Sequence, residues 1–136
     1  LPSVFMPPLY YYFIYLIKFL TINFFDLCSL IIIFQIFLSL ISIIIFFKIL
    51  NNFTTKEFSI IITFIFAFYP VNVLAASQIS STTLQIFLLL NFFYFLIKII
   101  DNNSKKNLIL FSLFSGLLIL IRGEFFFVRV IQWPFF

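Results

Sequence analysis

The run LCSLIIIFQIFLSLISIIIFFKIL, residues 27–50, decides the fold. Its only charge is Lys48, next to the end, and it holds no proline or glycine. It exceeds the roughly 20 apolar residues that a helix needs to cross about 30 Å of hydrocarbon. No two-residue alternation of a barrel strand runs through it, so the expected element is a membrane-spanning helix. The whole chain agrees with this one stretch. Of 136 residues, 65% are hydrophobic and 24% aromatic, only 9% are charged, and the mean hydropathy is +1.28. A water-soluble domain carries about a quarter charged residues, and a disordered chain is charge-rich and poor in aromatics; neither class fits.

Three further runs have span length: residues 58–77, interrupted by Pro70; residues 81–100; and residues 108–121, or 108–128 if Arg122 and Glu124 are carried inside. Residues 9–22 form a shorter apolar run broken by Lys18. Its Tyr10, Tyr11, Tyr12 and Tyr15 suit the headgroup region, where one end of the ring is wet. The expected fold class is therefore all-α: a polytopic transmembrane helical bundle of about four spans plus one interfacial helix. The plain alternative for residues 9–22 is an ordinary span with Lys18 snorkelling to the surface.

Lysines orient the chain. Lys48 and Lys56 bracket one connection, and Lys98, Lys105 and Lys106 bracket another, while residues 71–80 carry no charge. The positive-inside rule then places the two lysine-bearing connections in the cytoplasm and the uncharged one outside. The first span must start outside, near Asp26. The net charge of +4 is thus an orientation signal, with no nucleic-acid partner implied. The Asn52-Phe53-Thr54 and Asn102-Asn103-Ser104 sequons fall in the cytoplasmic connections and are chance matches.

Polar residues within the runs point to helix contacts. Gln35, Ser39 and Ser42 form one helical stripe, and Ser112 with Gly116 forms a small-xxx-small pair that permits close approach. Pro70 ends or kinks its helix near Tyr69; either the helix resumes beyond it, or a broken helix lines a cavity near the outer face. Cys28 is expected to be inert packing. One cysteine and no histidine argue against a disulfide or a zinc site, and no cofactor is expected. No phosphate-binding glycine loop or nucleophile–histidine pairing is present. The chain starts at Leu1, with no initiator methionine or signal-peptide pattern, and ends after an apolar run, which suggests a piece of a larger membrane protein.

The strongest local candidate for function is Arg122-Gly123-Glu124, an ionisable pair at a membrane boundary. Arg122 either contacts an anionic headgroup such as a lipid-linked phosphate, or serves as a snorkelling anchor with Glu124 solvated or paired to it.

Read in order, Met6-Pro7-Pro8-Leu9-Tyr10-Tyr11-Tyr12, then Ala67-Phe68-Tyr69-Pro70 with residues 75–84, then LFSGLLILIRGE at 113–124, resemble the polyprenyl-phosphate-sugar glycosyltransferases of the GT-C fold. That group includes the protein O-mannosyltransferases and the lipid A aminoarabinose transferases. Each motif is short, and the ordered set covers nearly the whole chain. The resemblance implies a multi-pass enzyme of the inner (cytoplasmic) membrane. It would move a sugar from a polyprenyl-phosphate donor to a lipid, glycan or protein acceptor on the outer face. It also implies a catalytic acid on a long outer loop upstream of the Pro-Pro segment, which these residues do not include, so the fragment alone should be inactive. The expected substrate contacts are Arg122, Glu124, Lys18 and Gln78. The chain departs from the family pattern at Met6, where aminoarabinose transferases carry Lys, at residues 22–27, which lack a Phe-Gly pair and a following Arg, and at Gly123, where Pro is usual. A transporter or flippase of cell-envelope precursors is the alternative, because broken helices are common at transport sites; a truncated, non-functional reading frame is the third.

Overall fold

The computed structural model describes residues 8–20, 26–101 and 104–121. They form six helices: α1 (Pro8–Leu20), α2 (Leu27–Leu50), α3 (Lys56–Ala67), α4 (Pro70–Ser77), α5 (Thr82–Asp101) and α6 (Lys105–Ile121). No strand occurs among the described residues. The helices pack in the order α3/α4, α2, α5, α6, with α1 laid across α6 and α2.

Two helices, α2 and α5, are long and apolar enough to cross a membrane, with mean hydropathies of 3.0 and 2.0. The run at 58–77 is a pair of helices, α3 and α4, bent by 51° at the break and apolar enough to count as a third crossing if taken as one. The described part of the fourth run, α6, has 17 residues and opens on Lys105 and Lys106; at about 1.5 Å per residue it reaches roughly 26 Å. Residues 122–128 of that expected span lie outside the described residues. Large apolar side chains stay exposed along every helix, among them Phe37 and Ile44 on α2, Phe64 and Ile65 on α3 and Ile109 on α6. Water would penalise such a surface, and hydrocarbon suits it.

Aromatic pairs join neighbouring helices: Phe46 with Phe66 between α2 and α3, and Phe92 with Phe111 and Phe95 with Phe114 between α5 and α6. Four polar residues inside the helices bond one turn back along their own backbone. Ser42 donates to the Leu38 carbonyl, Ser59 to Thr55, Thr63 to Ser59 and Asn91 to Phe87, at 2.7–3.1 Å. That lets hydroxyl and amide groups turn toward neighbouring helices without a bare donor.

Lys48 and Lys98 stand in the last turns of α2 and α5, where the helix dipole favours a cation. Lys98 also lies over the Tyr94 ring at 4.9 Å. Lys56, Lys105 and Lys106 sit in first turns, where the dipole disfavours them. Helix stability does not account for those three.

The structure revises three expectations. Tyr10 is 2% exposed, packed against Leu84, Leu88, Leu118 and Ile121, and so is a core residue; Tyr11, Tyr12 and Tyr15 keep an exposed face. Cys28, in the first turn of α2, is exposed, so it is not buried packing. The small-xxx-small pair on α6 makes no close helix approach: Ser112 is exposed, and a Cβ built on Gly116 meets nothing within 4 Å. Ser115, one residue before Gly116, is the buried small residue. Gly116→Ala is therefore expected to raise stability by about 0.5–1 kcal/mol through helix propensity alone. A shift in the unfolding midpoint in detergent would read it, and a drop in that midpoint would mean that a neighbour does pack on the glycine.

Candidate functional site

One set of buried polar groups centres on α2. Gln35 is fully buried, and both of its amide hydrogens are used. Nε2 donates to the Tyr10 hydroxyl at 3.2 Å and to the Ser80 carbonyl at 2.7 Å. A carbonyl can only accept, so the Ser80 contact fixes which end of the amide is nitrogen. One side chain thus ties α1, α2 and the α4–α5 connection together. Gln35 Oε1, on the other end, is buried with no hydrogen-bond partner. Burial pushes the Tyr10 hydroxyl above its ordinary pKa, the hydrogen bond from Gln35 only opposing it in part, so the phenol stays neutral.

One and two turns further along the same stripe lie Ser39 and Ser42, facing the break between α3 and α4. Pro70 is the first residue of α4 and has no N–H to give the Phe66 carbonyl. The Asn72 side chain replaces it: Nδ2 donates to the Phe66 carbonyl at 2.8 Å. Backbone amides of Asn72 and Val73 bond the Tyr69 carbonyl, which turns the chain into α4. Thr83, at the start of α5, donates its hydroxyl to the Ala75 carbonyl at 2.7 Å and closes the α4–α5 connection. Ser39, Ser42, Phe66, Ala67, Asn72 and Thr83 line a small cavity here, with room of about 10 Å³, enough for about one water-sized guest.

Of the four residues expected to contact substrate, Lys18 and Gln78 lie among the described residues. Lys18 is exposed on α1 at the edge of a shallow, mainly apolar groove of about 450 Å³, shared with Tyr11, Tyr12, Ile14 and Tyr15. Gln78 is exposed at the C-terminal end of α4, where its N–H bonds the Leu74 carbonyl. The two occupy different elements. Arg122 and Glu124 lie outside the described residues; they follow Ile121, which is buried in the Tyr10 cluster. Sequence reasoning singled out the Gln35–Ser39–Ser42 stripe but missed Tyr10, which bonds Gln35, and Asn72 and Thr83, which line the cavity with Ser39 and Ser42. The available signal for Asn72 was an amide side chain two residues after a mid-span proline.

Among the described residues the fold is all-helical, and two of its helices are long and apolar enough to cross a membrane. No protein-family model, curated protein or solved structure matches the chain.

Proposed function

We propose that the chain is the membrane part of a multi-pass glycosyltransferase that takes a sugar from a polyprenyl-phosphate donor to a lipid, glycan or protein acceptor outside the cytoplasmic membrane. One observation carries the reading. The three stretches that resemble that family are far apart in sequence, and each contributes to a single apolar cluster: Tyr10 from the first, Leu84 from the second, Leu118 and Ile121 from the third. The cluster lies where α5 begins and α6 ends, against Leu38 in the middle of α2. Segments with a shared role at one membrane face would be brought together there. On this reading Arg122 binds the donor phosphate, with Glu124, Lys18 and Gln78 as further substrate contacts. An acceptor hydroxyl needs a carboxylate base beside the departing phosphate, and the resemblance assigns that base to an upstream outer loop.

In a protein that includes this loop, Arg122→Ala is expected to lower transfer from a polyprenyl-phosphate sugar by about tenfold or more, the scale of one lost charge-assisted contact. Arg129→Ala serves as the control and should change it little. Equal losses, or none, would reduce Arg122 to an anchor. The topology has its own test. Reporter fusions at Asn103 and at Val73 are expected to report cytoplasm and exterior respectively, and the reverse pattern would overturn the orientation.

The broken span supports a second reading, a transporter or flippase of envelope precursors. The 51° bend between α3 and α4 opens beside the small cavity, and discontinuous helices are common where transport sites form. Movement of a labelled polyprenyl-phosphate lipid across vesicles, without sugar transfer, would favour it over the transferase.

A further inference from the structure

We propose that the cavity at the α3–α4 break binds one dehydrated sodium-sized cation through oxygen acceptors. The chemistry of its lining decides the sign of the guest. The Ser42 hydroxyl hydrogen is spent on Leu38, the Thr83 hydrogen on Ala75 and an Asn72 amide hydrogen on Phe66. Ser42 Oγ and Thr83 Oγ1 are left with lone pairs, and Asn72 keeps its carbonyl oxygen. Ser42 and Thr83 are 2% and 4% exposed, so bulk water does not satisfy them.

The helix ends point the same way. The C-terminal turn of α3, with Phe66 and Ala67, carries the negative end of its dipole at the cavity. At the start of α4, where an anion would be drawn, the amides of Asn72 and Val73 are tied to the Tyr69 carbonyl. Among the described residues, no lysine or arginine lines the cavity. The donors left in the lining are neutral hydroxyl and amide groups, whereas a cation finds several hard oxygens, the ligands that such ions prefer.

Size and depth complete the case. Room of about 10 Å³ admits one small unhydrated ion. Ser39 and Ser42 lie about halfway along α2, the depth at which unwound backbone and half-helix C-termini hold coupling ions in broken-helix membrane proteins. The site needs no sugar-transfer chemistry and stands apart from the proposed function.

The test uses the whole chain in detergent, with thermal unfolding followed in sodium, potassium and choline chloride at equal ionic strength. Sodium is expected to raise the midpoint saturably, by about 5 °C at concentrations far above the dissociation constant, because a ligand held only by the folded state stabilises it. Potassium should raise it less, and choline not at all. Ser42→Ala and Thr83→Val should each remove most of the sodium increment. Superimposed midpoints in the three salts would overturn the proposal and leave the cavity to water. So would a sodium increment that survives in both variants.

Discussion

Replacing Gln35 with alanine costs the bundle about 3 kcal/mol and loosens α1 from it. Two losses add up. The side chain is fully buried, and truncating a large buried side chain leaves a cavity whose cost runs to about 2–5 kcal/mol in well-packed cores. The change also strips the donors from the Tyr10 hydroxyl and the Ser80 carbonyl. Hydrogen bonds between membrane helices average only about 0.6 kcal/mol, so the two bonds are the smaller part. Gln35→Leu separates the contributions. It keeps most of the volume, loses both bonds and removes the unpartnered Oε1, so about 1 kcal/mol or less is expected. Reversible unfolding in mixed micelles measures both. Tyr10→Phe should be mildly destabilising in the native background and neutral in Gln35→Leu, since its partner is already gone. If Tyr10→Phe costs the same in both backgrounds, the Tyr10–Gln35 bond contributes nothing and α1 is held by its apolar contacts alone.

The second large effect belongs to the break. Asn72→Ala removes the side-chain donor that stands in for the missing N–H of Pro70 and leaves the Phe66 carbonyl only the longer, 3.3 Å bond from the Tyr69 amide. Because that bond remains, the expected loss at this part-buried position is the net contribution of one hydrogen bond, about 0.5–1.5 kcal/mol. The informative comparison is the background. Pro70→Ala restores an amide at residue 70, which can bond Phe66 as in an unbroken helix, so Asn72→Ala should then cost less than about 0.5 kcal/mol. The same proline change should reduce the 51° bend, measurable as a longer distance between spin labels at positions 58 and 77. Additive losses for the two substitutions would mean that Asn72 does not compensate for the proline, and the bend would need another cause.

The stripe of Gln35, Ser39 and Ser42 was legible because helical spacing alone puts the three on one face of an otherwise apolar run. What each one meets was not. Tyr10 lies 25 residues from Gln35 and Ser80 lies 45 away, and no local pattern encodes pairings at that range. Four tyrosines in a short run looked alike as interfacial residues. Packing of α1 across α6 and α2 buries Tyr10 and leaves Tyr11, Tyr12 and Tyr15 exposed. On α6, the sequence offered Ser112 and Gly116 as a contact pair, and the helix instead turns Ser115 and Leu118 inward.

By itself the sequence determined what depends on composition, length and local backbone chemistry. A run as long and apolar as residues 27–50 reads as a helix because hydrocarbon tolerates no unpaired backbone. α2 runs from residue 27 to residue 50 because charge and polarity bound that stretch, and the helix breaks at Pro70 because proline has no N–H to give. Only the tertiary structure decided which helices are neighbours, that Asn72 answers the proline, and that Gln35 joins three segments. Those outcomes rest on complementary shape and on directional bonds between distant residues, and they exist only once the helices have packed.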